Sequence, residues 1–220
     1  MFETTVTLEQ FLEAMIDTFY MVGFSLLIGS ILGIPLGILL VVTRNGGILE
    51  NKVLFNILNP IINTVRSLPF IILLVAIIPF TKLIVKTSIG TAAAIVPLII
   101  YVAPFIARLV ENSILEVDEG IIEAALSMGA TPFQTIWYFM LPEALGSLIL
   151  SLTTATISLL SATAMAGAVG GGGIGDLAIS YGYERFDSFI MLVTVIVLII
   201  FVQIIQSIGN WLAKKVRREV

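Results

Sequence analysis

Glu123-Ala124-Ala125-Leu126-Ser127-Met128-Gly129-Ala130-Thr131-Pro132-Phe133-Gln134, followed after six residues by Leu141-Pro142, decides how this chain is laid out. No charge stands between Glu123 and Glu143, and hydropathy alone would count the interval as one more membrane span. Its centre argues against that. Gly129 suits the left-handed position that ends one helix, and Thr131 suits the cap that begins the next. Pro132 fits the first helical position, and Gln134 completes a Thr-x-x-Gln capping box. The residues spell two short helices meeting at a corner, the second expected to end before Pro142. A corner leaves backbone groups that lipid cannot satisfy, so it belongs at the membrane surface.

Outward from the corner the chain is apolar. Of 220 residues, 58% are hydrophobic and 12% charged, against roughly half and a quarter in soluble domains. A soluble fold of this length could not hide that much apolar surface. Charge-free intervals run from Asp17 to Arg44, Lys86 to Arg108, Glu143 to Asp176 and Asp187 to Lys214, and the interval Lys52 to Lys82 is broken only by Arg66. Each accommodates the roughly twenty residues of a membrane helix. The expected fold is an all-α polytopic membrane protein with about five transmembrane helices.

An odd number of spans puts the termini on opposite sides, and basic residues choose the sides. The tail Lys214, Lys215, Arg217 and Arg218 marks a cytoplasmic C-terminus. Arg44 and Lys52 then fall inside, Arg108 at the inner boundary, and the stretch with Glu3, Glu9, Glu13 and Asp17 outside. Lys82, Lys86 and Arg185 are outside exceptions. The same count puts segment 116–142, between the third and fourth spans, in the cytoplasm. With no Lys or Arg before Arg44, the basic region of a cleaved signal is missing, so the first span is expected to stay in the mature protein. No polar stretch is long enough for a core of its own, and residues 1–220 read as one membrane domain that includes 116–142.

Several chemistries are excluded. His and Cys are absent, which removes the usual zinc ligands, thiolates and imidazole bases and leaves no expected metal or catalytic residue. A net charge of -4 offers no footprint for nucleic acid. Gly170, Gly172 and Gly175 fit Gly-x-Gly-x-x-Gly, but that fingerprint needs a strand before it, and here it joins two spans. A flexible outer turn is expected instead. Gly-x-x-x-x-Gly-Lys-Ser/Thr is missing as well, so nucleotide must be bound elsewhere.

The corner resembles the cytoplasmic coupling loop of ATP-binding cassette (ABC) importer permeases: Glu123-Ala124-Ala125, three residues, Gly129, nine residues, then an apolar residue, one more, and Leu141-Pro142. Phe139 replaces an isoleucine of that pattern. The likeness widens with Arg66-Ser67-Leu68-Pro69-Phe70, Ile78-Pro79-Phe80-Thr81, Ala103-Pro104-Phe105-Ile106-Ala107-Arg108 and Gly167-Ala168-Val169-Gly170, which resemble the methionine uptake permeases. What the resemblance implies is a bacterial inner-membrane transport subunit, no enzyme itself, that pairs with a second copy as a homodimer. It further implies an ATPase subunit on the cytoplasmic side, carrying the ATP and Mg that this chain does not hold, and an extracytoplasmic substrate-binding protein. The substrate the resemblance implies is an amino acid, most closely methionine; another amino-acid-like or quaternary amine solute is the alternative.

Physical reasons accompany the match. Small residues at Ala124 and Ala125 allow close approach to a partner, and the acids Glu116, Asp118, Glu119 and Glu123 favour the start of the first helix and a basic docking surface. Asp118 is the expected N-cap. In the first span Ser25, Gly29, Gly33 and Gly37 recur every fourth position, a small-xxx-small stripe for helix packing, with Pro35 expected to kink it. In the fourth, Thr154, Ser158, Ala162 and Ala166 run beside Ser151, Ser161 and Thr163. Their hydroxyls either bond back to their own helix or line a path, with Ser158 and Ser161 polar and Met165 an adaptable gate. Snorkelling to the headgroups accounts for Arg66 and Arg108. An ion-coupled carrier would call for carboxylates within the spans, and none are expected there.

Overall fold

The computed structural model describes residues 6–217; Glu3 and Arg218 lie outside them. Among the described residues every regular element is helical. In chain order these are α1 (Leu8–Thr43), α2 (Lys52–Ser67), α3 (Phe70–Ala76), α4 (Ile78–Val85), α5 (Thr91–Leu115), α6 (Glu119–Ser127), α7 (Pro132–Gly167), α8 (Gly173–Asp176, running on in π-helical turns over Leu177–Tyr183) and α9 (Ser188–Arg217). Four of them, α1, α5, α7 and α9, are long and apolar enough to cross a membrane, and α2 with α3 makes a fifth if the pair counts as one span.

Where the sequence reading departs from this, proline and capping explain it. The second interval is three helices rather than one. Pro69 lacks an N–H and disfavours helix at Leu68, so α2 stops and α3 restarts behind it. The first helix starts earlier than the charge-free interval, because Thr7 and Gln10 form a capping box: Gln10 N–H donates to Thr7 Oγ1 at 3.2 Å and Thr7 N–H to Gln10 Oε1 at 3.0 Å. The third span does not stop at Arg108 but runs to Leu115.

The chain forms two compact units, one drawn from Met1–Gly29, Leu68–Val102 and Thr156–Ile205, the other from Ser30–Ser67, Ala103–Ala155 and Gln206–Val220. In the second unit the glycine stripe acts as expected. A Cβ on Gly33 would stand 2.5 Å from the Ala103 carbonyl oxygen, and one on Gly37 2.5 Å from that of Ala107, so α1 and α5 touch backbone to backbone. Leu40, Ile62 and Ala107 form the core beside them, with Leu36, Phe55 and Leu58 packed against it.

In the first unit Val6, Ala14, Leu177 and Ile190 cluster with Phe11 and Tyr181. Phe19 and Phe201 lie with ring centroids 4.7 Å apart. Thr18 is the polar anchor: its hydroxyl donates to Ala14 O at 2.9 Å and accepts the Ile174 N–H at 2.9 Å. Elsewhere the outward faces are apolar. In α9 only 11% of the most apolar window is buried, which in water would be an aggregation surface and in lipid is the ordinary boundary.

Candidate functional site

The corner forms as its residues dictate. Asp118 caps α6, its Oδ1 accepting the Gly120 N–H at 2.7 Å. Gly129, at φ +83°, ends the helix. The Gly129 N–H reaches Leu126 O at 3.0 Å and the Ala130 N–H reaches Ala125 O at 3.1 Å, the paired bonds of a Schellman motif. Thr131 then opens α7 with the capping box, its own N–H donating to Gln134 Oε1 at 2.9 Å. Both helix ends at the bend are thus satisfied within the segment itself.

One expectation fails here: the second helix does not end before Pro142. It passes through a π-helical turn over Thr135–Met140, where the Leu141 N–H bonds Ile136 O, and continues across the membrane. The wider turn shifts the bonding register by one residue, so the bond that Pro142 cannot donate and the carbonyl its ring would strike are both displaced. Leu141 and Pro142 therefore belong to an unbroken helix.

Around the corner Glu123, Ala124 and Gly129 are exposed, but Ala125 is fully buried within the chain. Its small size serves the seating of α6 on its own subunit, leaving Ala124 as the accessible alanine. Sequence reasoning missed the aromatic surface. Phe133 and Trp137 stack at 6.2 Å and 5°, and Met128, Phe133, Trp137 and Tyr138 are 71%, 70%, 57% and 67% exposed. The four-residue spacing of Phe133 and Trp137 at the helix start was the signal. Behind α6 a hollow of about 520 Å³ separates it from loop 44–48 and has Arg44, Glu119 and Glu123 on its walls. In that loop the Gly46 N–H, and then Lys52, hold the Glu50 carboxyl below the usual range.

The second unit also holds a buried charge pair. Arg108 is ion-paired to Glu111, with side chains 17% and 7% exposed, and its other terminal nitrogen donates to Asn59 and Asn63 at 2.6 and 2.7 Å. Snorkelling does not describe Arg108, and a carboxylate does lie within a span. The Arg-x-x-Glu spacing announces the pair, but its burial depends on α5 running past Arg108. Arg66 lies 5.9 Å from the Phe105 ring centroid.

In the first unit the three path residues of α7 separate. Ser158 shares a 2.8 Å hydrogen bond with Tyr101, and Phe70 sets its ring edge-on to Tyr101 at 5.3 Å. Ser161 donates back to Ile157 O at 3.2 Å, and Thr154 and Thr163 likewise bond their own helix. Ser161 and Met165 share an exposed face, Met165 at 48%. Tyr101 is the group that sequence reading did not find.

The glycine run makes an exposed turn over residues 168–170 and is tightly packed on either side of it. A Cβ on Gly175 would stand 2.3 Å from Ala164 Cα, and one on Gly167 2.3 Å from the Asp176 nitrogen. The Gly90 N–H ties the segment down by donating to Gly170 O at 2.8 Å. Gly167 and Gly175 supply space for packing, while Gly170, Gly172 and Gly173 take left-handed backbone at φ +81°, +77° and +83°.

Known proteins with this layout are transport subunits. A probable D-methionine transport system permease protein of Vibrio cholerae is 55% identical over 205 residues, 93% of this chain and 91% of the relative. The D-methionine transport system permease protein of Escherichia coli K12 is 50% identical over 151 residues, 69% of this chain and 70% of the relative. A solved chain of the MetNI methionine ABC transporter, in an inward-facing conformation, superposes with a TM-score of 0.94 at 43% identity, covering 97% of this chain and 99% of that one. Residues 9–218 match the model of one family, and with these identities they establish that the chain belongs to the binding-protein-dependent transport system inner membrane components.

Proposed function

We propose that this chain is the permease subunit of an ABC importer that carries methionine across a bacterial inner membrane. The observation that carries the reading is agreement along nearly the whole chain, in sequence with permeases named for D-methionine transport and in fold with a chain of a methionine ABC transporter. The N-terminus is outside and the C-terminus cytoplasmic. Two copies related by a two-fold axis enclose the path, because five spans are few to surround an amino acid. An ATPase subunit supplies ATP and Mg from the cytoplasm, and a substrate-binding protein delivers the amino acid from outside.

Segment 116–142 is the lever within a single membrane domain. Glu123, Ala124, Gly129 and the exposed aromatic pair present the surface that the ATPase grips, and Leu141 and Pro142 pass the motion into α7. The support is mechanical: a corner capped at both ends transmits force as one body, and α7 continues from it without a break. Ser158, Ser161 and Met165 line the path in the membrane.

The test is uptake of radiolabelled methionine into vesicles carrying the chain with its ATPase. Gly129→Asp is expected to abolish uptake while membrane insertion persists; full transport would remove the corner from the mechanism. The chain has no cysteine, so Met128→Cys gives a single label site, and labelling from outside intact cells would overturn the orientation. Unchanged uptake and basal ATP hydrolysis in Met165→Ala would remove the gate.

A further inference from the structure

At the C-terminal end of α9, in the second unit, a cavity of about 520 Å³ opens toward the end of α5 and the stretch Pro142–Ser147 of α7, a size ordinary for small-molecule sites. Among the described residues its charged lining is Glu116, Glu143 and Arg217. The seat of Arg217 is built into the fold: Gly146 has no side chain, and a Cβ there would stand 2.8 Å from Arg217 Cγ and Nε. Glu116 is held in place by Ser147, whose hydroxyl donates to its Oε2 at 2.7 Å. Ser113 and Ser151, bonded at 2.8 Å, fix α5 to α7 nearby.

These three charges share the hollow without neutralising one another. Among the described residues Arg217 forms no ion pair with Glu116 or Glu143, although all three line the same space. A guanidinium and two carboxylates left open together match a ligand that carries an anion and a cation a few bonds apart. An ordinary anion would meet two carboxylates, and an ordinary cation would meet the guanidinium.

The surroundings point to lipid as the source of that ligand. Ile208, Trp211 and Leu212, in the turns of α9 just before the cavity-lining Val216 and Arg217, are 53%, 62% and 39% exposed. The Lys215 ammonium lies 5.8 Å from the Trp211 ring centroid, an aromatic and basic pairing typical of headgroup depth.

We propose that this cavity seats the headgroup of a zwitterionic phospholipid with a primary ammonium, its phosphate on Arg217 and its ammonium on Glu143 and Glu116. The guanidinium fork matches phosphate oxygens. A primary ammonium donates hydrogen bonds to the carboxylates, whereas a trimethylated headgroup has no N–H to give. This assignment does not depend on what the chain transports.

Native mass spectrometry of the full chain in detergent, titrated with phosphatidylethanolamine, phosphatidylcholine, phosphatidylglycerol and free phosphoethanolamine, tests it. Phosphatidylethanolamine is expected to bind about tenfold more tightly than the other two lipids, the worth of one charged hydrogen bond. Arg217→Gln should weaken it by about tenfold through loss of the phosphate contact, and Glu143→Gln should erase its advantage over phosphatidylcholine. Both residues are exposed, so the variants keep the fold. Equal binding of the three lipids, or variants that bind as the parent does, would overturn the site. Free phosphoethanolamine binding as tightly as the lipid would replace the lipid assignment with a soluble ligand.

Discussion

Gly129 and Gly175 both stand at the junctions of helices, yet nothing lies within 4 Å of the Cβ position of Gly129, while a Cβ on Gly175 would meet Ala164 Cα at 2.3 Å. At the corner glycine is there for its left-handed backbone, and the shape is held by bonds between residues at most five apart: Ala130 to Ala125, Thr131 to Gln134, Asp118 to Gly120. At Gly175 it is there for space, and the segment is held by the end of α7 and, far away in sequence, by Thr18 of α1 and Gly90 just before α5. A locally specified element can stand out from the body and keep its form. An element specified by distant contacts cannot move without them, which suits it to bracing a fold.

The largest test extends the contrast to charge. Glu111→Gln strips a buried guanidinium of its counter-ion, and the chain should lose about 3 kcal/mol of stability in thermal unfolding. Arg108→Gln added to it should recover part of that, since a neutral pair replaces an unpaired charge. No loss in the single variant would mean that Asn59 and Asn63, brought in from more than forty residues away, hold the guanidinium without its counter-ion. Gly175→Ala comes next, at about 2 kcal/mol, because backbone on the facing strand of helix has to shift. A stability equal to the parent's would erase the distinction between the two glycines.

The corner should respond more weakly. Gly129→Ala is expected to cost about 1 kcal/mol, the price of left-handed backbone alone, and Gly129→Asn less. A clash-sized loss would show that the corner is packed after all. Phe133→Ala with Trp137→Ala should change the stability of the chain by no more than about 0.5 kcal/mol, since both rings are solvent-facing. Co-purification with an ATPase subunit should nonetheless be lost; full retention would leave the aromatic surface without a partner.

Legibility in the sequence followed the same division. The Thr131-Pro132-Phe133-Gln134 box, the Asp118 cap and the Gly129 terminus were readable because each is a local competition for backbone groups, settled by side chains within a few residues. Their partner Pro142 was misread, since a π-helical turn that makes room for proline leaves no mark in composition. Arg108 and Glu111 were visible as a spaced pair, but Asn59 and Asn63, more than forty residues away, are what make the pair a buried one. Ser158 was found and Tyr101 was not, as a hydroxyl names no partner on another helix.

What the sequence determined by itself is the kind of molecule: apolar intervals long enough to cross a membrane, and a corner whose backbone groups lipid could not satisfy. Those follow from transfer free energies and backbone hydrogen bonding, which each segment settles alone. Only the tertiary structure decided which hydroxyls face a partner helix, which alanine is accessible, where a charge is paired and where one is left open. Such outcomes depend on surfaces brought together from distant parts of the chain, and in lipid, where apolar burial does not drive helices together, close packing and polar contacts select the arrangement.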